Sequence, residues 1–306
     1  MTRPDGSDTG RDTGRPQPFV VEAGQELSRL DSPVMIAAFE GWNDAGDAAS
    51  TALEHLELSW DAETLVSIDP EEYYDLQVTR PMVRLIDGIT REIEWPTTRV
   101  SACRPPGARH DVVLVHGIEP SMRWRSFCRE LLTSVEQLGV TTVVTLGALL
   151  TDTPHTRPVQ VSGTSYDADS AARFGLERSR YRGPTGIVGV LQDACVRHGI
   201  PAISFWAAVP HYVSQAPDPK AAVALLHRVE EVLDIEVPLG GLPAQAENWE
   251  RTVSEMAEAD EDVRDYVRQL EERAESEISI SEATGESIAA DIERYLRRRG
   301  PGGEGS

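Results

Sequence analysis

Lysine is almost missing from this chain of 306 residues: Lys220 stands alone against 28 arginines. That leaves no Gly-x-x-x-x-Gly-Lys-Ser/Thr loop to cradle a triphosphate and no spare lysine for a Schiff base. ATP and GTP are therefore not expected to bind tightly. A calorimetric titration giving a dissociation constant below about 10 μM, or about 7 kcal/mol of affinity, would overturn this. Lys220 itself opens a helical run and reads as a surface residue.

Cysteine is scarce as well. Cys103, Cys128 and Cys195 are odd in number, widely spaced and without a Cys-x-x-Cys pair. That argues against a disulfide framework and a zinc site, suits a reducing cytoplasm, and leaves the three as core residues. The seven histidines form no His-Glu-x-x-His or other close metal spacing, so neither a metal nor a cofactor is expected. No apolar run reaches the length of a membrane span. Residues 1 to 18 lack the apolar middle of a signal peptide, and residues 1–26 read as a disordered polar tail. Positive charge is in deficit, the net being -22, which argues against nucleic acid and anionic membrane as partners. No Gly-x-Ser-x-Gly elbow is present: Gly163-Thr164-Ser165 falls in an irregular stretch rather than after a buried strand.

What is present is an alternation of strand and helix patterns. Val34 to Ala38 reads as a buried strand, and Asp47 to Leu56 carries apolar residues at helical spacing. Thr64 to Ile68, Val112 to Val115, Thr141 to Leu146 and Ala202 to Ala207 read as further strands. Met82 to Ile86 and Ile89 to Trp95 are joined at Asp87-Gly88, a hairpin signal. A helix is expected near Ser126 to Gln137, with Phe127, Leu131, Val135 and Leu138 as its stripe and Gly139 as its stop. Further helices are expected over Gly186 to Arg197 and Lys220 to Leu233. Residues 151 to 184 read as a long polar loop. The fold class is α/β, a largely parallel central sheet with flanking helices.

From about residue 244 the pattern changes. Trp249, Val253, Met256, Val263, Val267, Leu270 and Ala274 form a heptad-like seam among acids and arginines. The domains are thus a core at 27–243, a helical extension at 244–300 with a last helix from Glu286 to Arg299, and a disordered tail at 301–306. The seam is too apolar to stay wet. It is expected to clamp on the protein's own core, with part of its surface reaching a neighbouring subunit of a homo-oligomer.

The turn Phe39-Glu40-Gly41-Trp42-Asn43-Asp44-Ala45-Gly46 is the most informative segment. Asn43 occupies the expected N-cap of the first helix, with Asp44 and Asp47 in its first turn. Glu40, Asp44 and Asp47 would repel a phosphate from that helix end. The segment resembles the signature of the proteasome assembly chaperone 2 family. The resemblance continues through Gly117-Ile118-Glu119-Pro120-Ser121, Gly147-Ala148-Leu149-Leu150 and Pro154-His155-Thr156-Arg157-Pro158. It extends to Gly183-Pro184-Thr185-Gly186-Ile187, Gly199 to Trp206, and Val209-Pro210-His211-Tyr212-Val213. The actinobacterial branch is the version most similar, over residues 33 to 235. The resemblance implies a sheet like that of the nucleoside phosphorylases and a role in protein assembly, with proteasome subunits as partners. Some proteasome-docking chaperones end in a hydrophobic-Tyr-any residue tail. This chain ends Gly302-Gly303-Glu304-Gly305-Ser306, so docking is expected through another surface.

Open α/β sheets place ligands at the carboxyl ends of their strands. The candidates there are Trp42, Asn43 and Asp44; His116 and Glu119; Asp152, His155 and Arg157; and Trp206, His211 and Tyr212. One reading gathers them in a cleft for acid-base chemistry. The other gives each a local job: Asp44 caps its own helix, Trp42 and Trp206 fill the rim of the core, His116 bonds the backbone, and Arg157 pairs with an acid. On the rim reading, Trp42→Ala should cost about 3 to 5 kcal/mol. The functional expectation is a protein-interaction or assembly factor with no catalytic residue. The alternative is a small-molecule binder or enzyme using the cleft.

Overall fold

The computed structural model describes residues 30–176, 181–213 and 216–282; the two expected tails and the helix from Glu286 to Arg299 lie outside the described residues. In chain order the elements are β1 (Val34–Glu40), α1 (Ala48–Ser59), β2 (Glu63–Ser67), α2 (Pro70–Tyr73), β3 (Met82–Ile86), β4 (Thr90–Glu94) and β5 (Thr98–Cys103). Next come β6 (Val112–Ile118), α3 (Trp124–Leu138), β7 (Thr142–Thr151), β8 (Val161–Ser165), α4 (Ala168–Phe174) and α5 (Ile187–Arg197). The chain continues with β9 (Ala202–Pro210), α6 (Pro219–Leu233), α7 (Leu242–Ala259) and α8 (Glu261–Glu282).

Seven strands form the main sheet in the order β2-β5-β6-β1-β7-β9-β8. The central four, β6, β1, β7 and β9, are parallel. β5, β2 and β8 are added antiparallel to their neighbours at the two margins. Val34 to Phe39 are all buried, as a parallel strand covered on both faces must be. Alternate side chains of the strands feed two cores. Ile36, Leu114 and Phe205 pack with Leu53 of α1 and Leu225 of α6. Phe39, Val115 and Val143 pack with Phe127 and Leu131 of α3 and Leu191 of α5. Burial holds the three cysteine thiols in their neutral form by pushing each up to about 12.

Several expectations need correction. The stretch 151–184 is not one loop, since it supplies β8 and α4. Gly163-Thr164-Ser165 lies in β8. An edge strand needs only one hydrogen-bonded side, so Val161-Ser162-Gly163-Thr164-Ser165 can pair with β9 without a strong apolar pattern. β5 also escaped the pattern, although every one of its residues but Arg99 is buried. The C-terminal seam is not carried on one helix. Asp260 takes an extended conformation between α7 and α8, and its Oδ1 accepts the amide hydrogens of Asp262 and Val263 at 3.0 and 3.3 Å, starting the next helix. The chain folds back there, which ends any heptad register. Val253, Ala257, Val267 and Leu270 are buried, whereas Met256 is 47 % exposed. α7 packs on α6, and α8 on α7. Among the described residues no helix is long and apolar enough to cross a membrane.

Candidate functional site

The turn after β1 is held from both sides. Gly41 has a φ of +111°, a conformation that L side chains rarely adopt, and it reverses the chain so that Asn43 turns inward. Asn43 is 1 % exposed. Its Nδ2 donates to Glu119 Oε1 at 2.7 Å, and the same oxygen accepts the Ile187 amide hydrogen at 2.8 Å at the start of α5. Asn43 carbonyl oxygen accepts from the Ala148 amide at 2.8 Å. A β-carbon on Gly186 would lie 2.1 Å from Asn43 Oδ1, so glycine is required where α5 meets the turn. Asn43 is therefore a bracket between three elements and not the N-cap of the first helix.

Asp44 takes the capping role. Its Oδ1 accepts the Ala49 amide hydrogen at 2.6 Å, and its Oδ2 accepts the Ser50 amide at 3.2 Å and the Ser50 hydroxyl at 2.5 Å. Burial pushes its carboxyl up to about 6 in spite of the hydrogen bonds from Ser50 and Ala49. Trp42, just before these two fixed residues, is 61 % exposed. The expectation that it fills the rim of the core fails, because Asn43 takes the inward position and leaves the preceding side chain in solvent. Trp42→Ala is now expected to change stability by less than about 1 kcal/mol, as exposed positions do, and chemical denaturation checks this.

His116 lies near the carboxyl end of β6, on the face covered by α1. Its Nδ1 lies 3.0 Å from Glu57 Oε2, and Arg99 Nη2 lies 3.5 Å from the same oxygen. Burial raises the Glu57 carboxyl, but the His116 hydrogen bond and the charges of His116 and Arg99 outweigh it and hold the group below its usual range. The partner of His116 is thus a side chain from another element, not the backbone at a strand end. Trp206 lies against Gly147, where a β-carbon would meet the ring at 2.6 Å.

The remaining candidates face the C-terminal helices. Tyr212 Oη accepts the His155 amide hydrogen at 2.8 Å and lies 2.7 Å from His155 Nδ1, to which it donates its own proton. His155 therefore carries hydrogen on Nε2, given to Ser254 Oγ at 3.0 Å, and Ser254 donates to the Glu250 carbonyl at 2.8 Å. Burial, then the charge of Lys220, holds His155 below its usual pKa and keeps the ring neutral. Lys220 is no free surface residue. Its Nζ donates to the carbonyls of His155 and Arg157 at 2.6 and 2.9 Å and pairs with Glu250 at 2.5 Å. Arg157 pairs with Glu275, Asp152 with His211 at 3.3 Å, and the His211 ring packs on Tyr266 of α8 at 5.4 Å.

The eleven candidates thus fall into separate groups by their contacts. Asn43 and Glu119 are joined directly. His116 belongs with Glu57 and Arg99. Asp152, His155, Arg157, His211 and Tyr212 clamp the C-terminal helices. Glu57, Arg99, Ser254 and Glu250 complete these groups, and sequence patterns did not mark them: each is one polar residue among many on a helix or a missed strand.

A family model described as the PAC2 family matches residues 38–257. The structure is similar to that of a PAC2 family protein from Streptomyces avermitilis, at 58 % identity and a TM-score of 0.73 over 77 % of this chain and 99 % of that one. It is similar to a proteasome-assembly chaperone homologue, Rv2125, from Mycobacterium tuberculosis, at 63 % identity and a TM-score of 0.70 over 76 % and 99 %. The archaeal proteasome activator PbaB from Pyrococcus furiosus shares the fold at 18 % identity, with a TM-score of 0.61 over 78 % and 97 %. No curated protein matches.

Proposed function

We propose that this chain, which belongs to the PAC2 family, is a protein-binding assembly factor that works in the cytoplasm as a homo-oligomer and takes proteasome subunits as its partners. The 63 % identical relative is described as a proteasome-assembly chaperone homologue, which supports that class of partner. One observation in the fold carries the reading: an exposed tryptophan on an immobilised turn. Asn43 and Asp44, which directly follow Trp42, are locked by hydrogen bonds, so the ring is presented with little backbone freedom left to lose on binding. Exposed tryptophan on a preorganised support is what interface hot spots use. Leu149 and Leu150 at the end of β7, and Met122 beyond β6, are exposed as well, adding apolar surface on either side of the β1 strand end. The histidines His155 and His211, by contrast, are engaged by Tyr212, Ser254 and Asp152, which supports an interaction surface over an acid-base cleft.

The test mixes the purified chain with recombinant proteasome α-subunits and reads complex mass by light scattering. A complex with a micromolar or tighter dissociation constant is expected, weakened at least about tenfold, or 1.4 kcal/mol, by Trp42→Ala. The melting temperature of the variant should stay that of the wild type. No complex at about 50 μM of each component, or a complex indifferent to Trp42→Ala, would defeat the proposal.

A further inference from the structure

Three buried polar atoms from three separate elements have no hydrogen-bond partner among the described residues: Asp218 Oδ2 at the start of α6, Arg157 Nε in the β7–β8 connection, and Trp249 Nε1 on α7. Folded proteins seldom leave such an atom unmet, so three together need a common partner. The groups around them are already committed. Asp218 is 1 % exposed, and its Oδ1 caps α6 by accepting the Ala221 amide hydrogen at 3.0 Å. Lys220 has three hydrogens to give. They go to the carbonyls of His155 and Arg157 and to Glu250, and none goes to Asp218. Tyr212 and Ser254 engage both ring nitrogens of His155. Arg157 reaches Glu275 through Nη2, which leaves its Nε over.

Arg157, Asp218 and Trp249 line the same small cavity, together with Pro154, Val159 and Ala208. Its volume is about 10 Å³, on the order of what one water molecule requires. Chemistry selects the occupant as well. A cation would meet Arg157 and Lys220, and an anion would meet the Asp218 carboxylate. Water meets neither objection. Its oxygen can accept hydrogens from Trp249 Nε1 and Arg157 Nε while it donates one of its own to Asp218 Oδ2. About three hydrogen bonds is the usual complement of a buried water.

We propose that this cavity is a binding site for a single ordered water, which ties α7 and the β7–β8 connection to the start of α6. The Asp218 amide also donates to the Gly46 carbonyl at 2.7 Å, so the tie runs on to the turn that carries Trp42. A high-resolution crystal structure of the full chain should show one water within about 2.7 to 3.2 Å of Trp249 Nε1, Arg157 Nε and Asp218 Oδ2. In solution, the Trp249 indole hydrogen should give a nuclear Overhauser cross-peak to water with the sign of a long-lived bound molecule. Trp249→Phe identifies that peak by removing it. Asp218→Asn tests the hydrogen-bond count: with its Oδ1 kept on the Ala221 amide, its Nδ2 points a third donor at a water that accepts two. The cross-peak should then be lost. The wild-type measurements decide the case by themselves if that variant does not fold. Side chains that meet directly with no water between them, an indole hydrogen without a bound-water cross-peak, or an unchanged cross-peak in Asp218→Asn overturns the proposal.

Discussion

Deleting residues 242–306 is expected to leave a protein that aggregates or melts far below the full chain. α7 packs on α6 and α8 packs on α7, and the two contribute Leu242, Val253, Ala257, Val267 and Leu270 to the buried set. At roughly 1.5 to 3 kcal/mol for each large apolar side chain, their burial is worth on the order of 5 to 10 kcal/mol. That is comparable to the whole stability of a typical domain, about 5 to 15 kcal/mol. The deletion also unties the loop after β7. His155 loses Ser254, Lys220 loses Glu250, and Thr156 loses Glu271, its partner at 2.5 Å. A deleted protein that stays soluble at the wild-type melting temperature would show that the two helices are an appendage.

The second large effect is one of pH. The Asp44 carboxyl, pushed up from 3.8 to about 6 mainly by burial, holds its proton more tightly in the folded chain than in the unfolded one. Folding is therefore favoured by this group while it is protonated in both states, below about pH 4. As pH rises through the folded value near 6 that contribution is lost, because the folded state must then keep a buried charge. Two pKa units correspond to about 3 kcal/mol, most of it spent between pH 4 and 6 and constant above. Asp44→Asn retains an acceptor for the Ala49 amide but cannot titrate. The stability of the wild type minus that of Asp44→Asn should fall by about 2 to 3 kcal/mol from pH 4 to 7. Denaturant midpoints of the two proteins measured across that range check it, and parallel profiles would sink it.

Much of the architecture was legible before any coordinates. Val34 to Ala38, Val112 to Val115 and Thr141 to Leu146 are apolar runs that only a doubly covered strand can bury. Phe127, Leu131 and Val135 recur at helical spacing with Gly139 behind them, and α3 follows that pattern to its stop at Gly139, φ 71°. Family membership was readable in the turn at Trp42 and Asn43, because its residues lie close together in the chain. The seam at Val253, Val267 and Leu270 was readable as apolar surface in need of a cover.

Long-range pairing decided the rest. No local pattern says whether Trp42 or Asn43 faces inward; the Glu119 carboxylate, 76 residues away from Asn43, settles it by accepting the Asn43 side-chain hydrogen. The single lysine looked like a solvated helix start, yet two carbonyls and Glu250 enclose it. His155 looked like a partner for Asp152 and Arg157 in a cleft, and instead joins Tyr212 to Ser254. The hairpin at Met82 to Glu94 was evident as a hairpin, while its isolation from the main sheet was not. Periodicity reports which residues avoid water, since that depends on local spacing alone. Which polar groups meet depends on how elements far apart in sequence are stacked, and only the tertiary structure sets that.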